Sequence, residues 1–290
     1  MPRWLFYSLL AIAMWGGWGL IGKLTQLDPW LLTALSAIGV GGVAFLLLFS
    51  SRIRQGTNFR VGMAVAFVTG IFGNVGNLTL LKALKLGDAS LVAPYTALYP
   101  LVTVALARIL LRERMNAIQG LGFLLAVAAG AVFSFMGSEA GQGFTFGPWM
   151  AWATATVVCF GIAAVTQKIA TNHISNELSL VCFAASFVPV SIAIVLWGGP
   201  FDWNLPRKEW IYVLLYGSGI GLGTLVLFAA YRWGNASVVT ALTGLYPALT
   251  AVLAMAIPRF GERFTPLKGA AIILAAVAGA ALTYEKKPDA

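Results

Sequence analysis

The sequence predicts an all-α polytopic membrane protein, ten transmembrane helices built as two inverted five-helix repeats. Three observations carry that prediction. Of 290 residues, 59% are hydrophobic and 10% charged, against roughly 25% charge in soluble domains. Apolar runs of membrane-spanning length recur from one end of the chain to the other, with short polar links between them. A long motif in the first half returns in the second.

A span needs about 20 mainly apolar residues to cross roughly 30 Å of hydrocarbon. In the first half, residues 4–22, 30–49, 61–81, 90–110 and 117–136 meet that requirement, and in the second, 148–166, 178–197, 210–230, 237–257 and 266–284. Uninterrupted stretches of this length satisfy their backbone groups in lipid as helices, and the alternation of a membrane barrel is absent. The first run continues through Gly16, Gly17 and Trp18 to Lys23 with no small-residue cleavage site, so it reads as a retained span. The short links leave no room for a separate soluble domain. The division is residues 1–141 for the first repeat and 142–290 for the second, within one integral membrane domain.

Cys159 and Cys182 both lie in apolar runs and give neither a disulfide framework nor metal-ligand spacing. The net charge of +9 is scattered singly between spans rather than striped on one face, which fits membrane topology and not nucleic acid. Arg52, Arg54, Arg60, Arg108, Arg112 and Arg114 fall on one side, and by the positive-inside rule both termini are expected in the cytoplasm, in the inner or plasma membrane of the cell.

The repeat is the most specific signal. GDASLVAPYTALYPLVT, ending at Thr103, returns as GNASVVTALTGLYPALT, ending at Thr250. RERMNAIQG and GERFTPLKG follow at Gly120 and Gly269, and each leads into an Ala-rich span. Upstream, Trp15-Gly16 with Lys23 corresponds to Phe160-Gly161 with Lys168. Five spans per copy is an odd number, so the second copy is expected to enter the membrane upside down. This pattern resembles the drug/metabolite transporter superfamily, EamA type, over nearly the whole chain. The resemblance implies a ten-span permease with cytoplasmic termini, exporting amino acids or other metabolites.

Helix interruptions at corresponding positions of two halves point to a transporter's site. Pro100 and Pro247 are such a pair, each about ten residues into its span and so roughly 15 Å deep. Each frees a backbone carbonyl, and Tyr99 and Tyr246 precede them. The competing reading is a kink that only shapes the bundle. Trp15 and Trp18 lie about 16 to 21 Å of helix from Trp4, beyond the interfacial belt, as a cavity wall or as packing. Asn74 and Asn77 share a helix face and are expected to point into the bundle, toward a solute or another helix. Gly221 and Thr224 stand at their places in the second half, and Thr96 and Thr243 are paired by the repeat.

Lys23 and Lys168 end the first and sixth spans, where they either reach headgroups or form cationic gates. Glu113 and Glu262 mark the links before the fifth and tenth spans, where a carboxylate can cap helix amides. All 10 acidic residues fall in loops, tails or span ends, which disfavours coupling through an intramembrane acid. There is no phosphate-binding Gly-Lys-Ser/Thr loop.

The leading expectation is a secondary transporter of small zwitterionic or neutral metabolites by alternating access, without cofactor, working with a small-molecule substrate in the bilayer. The alternative classes are a non-transporting scaffold or sensor and an intramembrane enzyme. The enzyme lacks a cluster of acid, base or nucleophile at depth.

Overall fold

The computed structural model describes residues 1–86, 92, 95–96, 98–135, 148–246, 249, 252–253, 266–282 and 284. Their secondary structure is almost wholly helical: α1 (Arg3–Leu24), α2 (Pro29–Leu47), α3 (Phe59–Leu86), α4 (Tyr99–Leu106), α5 (Ala117–Phe135), α6 (Pro148–His173), α7 (Asn176–Ala185), α8 (Phe187–Trp197), α9 (Arg207–Trp233), α10 (Ala236–Thr243) and α11 (Pro266–Leu282). Five described segments are long and apolar enough to cross a membrane: α2, α3, α6, α9, and α7 with α8 taken together. Shorter apolar helices accompany them. The outward surface carries Phe45, Leu46, Ile109, Leu124, Val188, Ile192 and Leu215, an apolar exterior suited to acyl chains.

Local sequence sets the helix limits. Asp28 caps α2, accepting from the Trp30 amide at 2.8 Å, with Pro29 at the first helical position. Ser175 caps α7 by accepting from the Leu178 amide at 3.1 Å. Asn116 and Gln119 exchange amide bonds of 2.8 and 3.1 Å at the start of α5, a reciprocal cap. The expected interruption at Pro100 lies on its N-terminal side: Leu98 is a turn residue, and α4 starts at Tyr99 with the proline in its first turn, where the missing N–H is unneeded. In the second half α10 ends at Thr243, and Gly244 and Leu245 form a turn before Tyr246. Pro247, Glu262 and Arg263 lie outside the described residues, as does the side chain of Lys23.

Contacts between helix ends fix the helix directions. At one end of the bundle α1 begins against the end of α9, with the Arg3 guanidinium 4.7 Å from the Trp233 ring centre. A Cβ on Gly234 would come within 2.9 Å of Trp4 at the same place. That end also holds the start of α3, where a Cβ on Gly62 would meet Ile174 just beyond α6 at 2.5 Å. At the opposite end the Thr25 hydroxyl, after α1, donates to Glu209 in the first turn of α9 at 2.7 Å. Lys85, near the end of α3, pairs there with Asp28 at 3.1 Å. Thus α1 and α3 begin where α6 and α9 finish.

The two largest interhelical interfaces, α1 on α9 and α6 on α3, use residues at corresponding positions. Trp15 of α1 lies over Gly223 of α9, and Phe160 of α6 lies over Gly76 of α3. Gly16 faces Leu249, where an added Cβ would come within 2.8 Å, and Gly161 faces Val102 at 2.5 Å. Small residues at these crossings let large rings seat against backbone, and close packing is what drives helix association where lipid is as apolar as the side chains.

Candidate functional site

A cavity opens between the two interfaces. Its walls include Trp15, Trp18, Gly73, Asn77, Tyr99, Phe160, Gln167, Thr224, Tyr231 and Tyr246, and the space between them, including its opening, is about 740 Å³. Four helices supply most of the wall, α1 and α3 from the first half and α6 and α9 from the second.

Corresponding residues of the two halves line this space together. Trp15 and Phe160, Trp18 and Ala163, Gly73 and Ile220, Asn77 and Thr224, and Tyr99 and Tyr246 all line it. The aromatic contacts repeat the pattern. Trp15 meets Tyr246 edge-on, with centroids 5.8 Å apart at 74°, and Phe160 meets Tyr99 at 5.9 Å and 80°. Each pair takes one ring from each half, in the geometry that ring quadrupoles prefer.

Of the residues singled out in the sequence, Trp15, Trp18, Asn77, Tyr99 and Tyr246 line the cavity. Asn74, Thr96 and Thr243 are buried but do not form its wall. The Thr243 hydroxyl bonds back to the Val239 carbonyl at 2.8 Å, within its own helix. The apolar and polar wall positions Phe183, Phe187, Gln167 and Tyr231 carried no sequence signal of their own. Phe160 and Thr224 were within reach through their repeat partners Trp15 and Asn77.

Hydrogen bonding divides the cavity into two ends. Near the end of α9, the Tyr231 hydroxyl pairs with Thr240 at 2.7 Å. Toward the start of α9, Tyr216 packs on Trp18 with centroids 5.0 Å apart and donates to Asn77 Oδ1 at 3.3 Å. From Tyr216 to Tyr231 is about 22 Å along the helix. At the Tyr216 end, Trp18 Nε1, Asn77 Nδ2 and both amide atoms of Asn74 are buried without a hydrogen-bond partner.

The Tyr231 end is tied together by charged side chains. Lys168 does not reach toward headgroups. Because α6 continues to His173 instead of stopping near Thr166, Lys168 lies more than a turn inside the helix and is half-buried. Its Nζ donates to the Tyr231 carbonyl at 2.6 Å and the Gly234 carbonyl at 2.8 Å, satisfying the end of α9. Glu113 takes the next residues: its carboxylate accepts from the Ala236 amide at 2.8 Å and from the Ser237 amide and hydroxyl, both at 2.9 Å. A cap in the expected chemistry is therefore made across the repeat, onto α10. A cation from α6 and an anion from the link before α5 grip the short connection between α9 and α10. Arg232 strengthens the same end by donating to Asn176 at 2.8 Å and to the Ile174 carbonyl.

Among the described residues no group of three or more His, Cys, Asp or Glu is placed to hold a metal ion. The described cavity wall contains no acidic or basic side chain.

The model of the EamA-like transporter family matches this chain twice, over residues 2–135 and 147–284. A solved crystal structure shares the fold at a TM-score of 0.77 and 23% identity, covering 97% of this chain and 96% of that one. No curated protein matches.

Proposed function

The chain belongs to the EamA-like transporter family, and from that premise we propose that it is a ten-span secondary transporter of small organic metabolites, such as amino acids or related zwitterionic or neutral solutes. The observation that carries this reading is the cavity wall built from corresponding residues of both halves. A site on the axis that relates two halves can be served from either side by the same parts in exchanged roles.

The five-span halves, residues 1–141 and 142–290, are inverted copies in this reading. The helix directions support it, since α1 and α3 begin at the end of the bundle where α6 and α9 finish. The Lys168 and Glu113 contacts supply one gate. Lys23, the repeat partner of Lys168, serves as the gate residue of the other end. Trp15, Trp18, Asn77, Tyr99 and Tyr246 contact the solute, while Thr96, Thr243 and Asn74 are buried outside the wall. Pro100 places a helix break beside it, and Pro247 is its counterpart in the repeat. Both termini lie in the cytoplasm, and the bilayer is that of the cell membrane.

Uptake of labelled amino acids and neutral metabolites into proteoliposomes tests the reading. Saturable flux that falls at least fivefold in Tyr99→Phe or Tyr246→Phe, with folded protein retained, is expected. Absence of flux for every solute would leave a scaffold or sensor in its place.

A further inference from the structure

Every hydroxyl given a partner at the Tyr231 end contrasts with two donors that have none at the other. Trp18 and Asn77 both line the cavity, yet Trp18 Nε1–H and Asn77 Nδ2–H2 are buried without an acceptor. Tyr216 fixes both groups. Its ring packs on the Trp18 indole, and its hydroxyl occupies Asn77 Oδ1, so the amide presents its NH2 side. Asn77 is 5% exposed, and a buried donor left unpaired costs about 1–3 kcal/mol. Among the described wall residues there is no cation to neutralise a carboxylate, and an unpaired carboxylate is far costlier in such a setting than a carbonyl. Around the donors, Trp15, Tyr99, Phe160 and Tyr246 offer aromatic surface.

We infer that the solute is a flat, uncharged carbonyl compound, an amide, lactam or imide, whose carbonyl oxygen accepts from Trp18 and Asn77 while its ring lies among the aromatic side chains. This rests on the transport reading for the site but narrows it to the neutral branch. The carbonyl oxygen has two lone pairs and can take both N–H groups at once. A cation without an acceptor would leave both donors unpaired, whatever it gained from the aromatic rings.

The probes are nicotinamide, benzamide and uracil as flat neutral carbonyl compounds, phenylalanine as a zwitterion of similar size, and phenethylamine as a cation without an acceptor. Binding is measured by titration against the purified full-length protein in lipid nanodiscs, and flux in proteoliposomes. At least one carbonyl probe is expected to bind more tightly than both phenylalanine and phenethylamine. Trp18→Phe, which keeps a ring against Tyr216 and removes the N–H, is expected to weaken that probe about five- to tenfold. Asn77→Leu in a Tyr216→Phe background, which leaves no hydroxyl unpaired, should do the same. Tighter binding of phenylalanine, unchanged by Trp18→Phe, overturns the inference, and phenylalanine flux in the same preparation would show that transport survives it. Binding of nicotinamide that depends on Trp18, with no flux of any probe, would uphold the inference and remove the transport reading. Failure of all three carbonyl probes to bind overturns the inference.

Discussion

The two ends of the cavity solve opposite problems with the same kinds of residue. At the Tyr231 end, Lys168, Glu113, Arg232 and the Tyr231 hydroxyl all have partners. Lys168 and Glu113 neutralise the facing termini of α9 and α10, and Tyr231 is held by Thr240. At the Tyr216 end, Asn74, Asn77 and Trp18 keep polar atoms buried and unpaired. The first arrangement stabilises one conformation. The second forgoes stability, and a chain gains from that only if something else satisfies those atoms.

The largest effect is expected from breaking the satisfied end. Glu113→Ala removes three charge-assisted hydrogen bonds to the start of α10, a loss of about 3 kcal/mol or more for the closed gate. A cysteine placed at Ser237 in a Cys159→Ser, Cys182→Ser background should then react with a water-soluble thiol reagent at least tenfold faster. An unchanged rate would mean that this end is not a gate. Lys168→Met should act in the same direction through the two carbonyls it leaves, by about 2 kcal/mol.

Substitution at the unsatisfied end should behave in the reverse way. Asn74→Leu replaces a fully buried amide with no partner by an apolar group of similar size, so the melting temperature should hold or rise while transport falls. A drop of several degrees would show that Asn74 serves stability and would erase the contrast between the two ends.

How far the sequence reached follows the same division. Hydropathy and the repeat were legible because lipid imposes length and apolar composition on every span. Trp15, Trp18, Asn77, Tyr99 and Tyr246 stood out because polar or amphipathic groups are conspicuous at depth. Phe183, Phe187 and Leu227 line the same wall and did not stand out, since an apolar side chain facing a cavity looks like one facing a neighbouring helix. Hydropathy falls near Thr166 and so places Lys168 at a span end, but α6 runs on to His173 on backbone hydrogen bonds that hydropathy does not register. Glu113 was recognisable as a cap, yet its partner helix lies in the other half, and pairing across 123 positions leaves no local trace.

The smallest effect belongs to the link between α1 and α2. Burial works against ionisation of Asp28, but the Lys85 ammonium and the Trp30 amide outweigh it and hold the carboxyl below its usual value. Its folded value is the lower one, so its contribution is present above the unfolded carboxylate pKa of about 4 and is lost as pH falls through the folded value. The pair is exposed, so Asp28→Asn should cost well under about 1 kcal/mol at neutral pH. Melting curves of the variant and the parent should converge at acid pH.

The account stands on two halves crossing the membrane in opposite senses. Single cysteines replacing Arg112 and Arg263 in the cysteine-free background, labelled from one side of sealed membranes with an impermeant maleimide, measure that directly. Labelling of one and protection of the other is the expected result, and equal labelling of both from the same side contradicts the account.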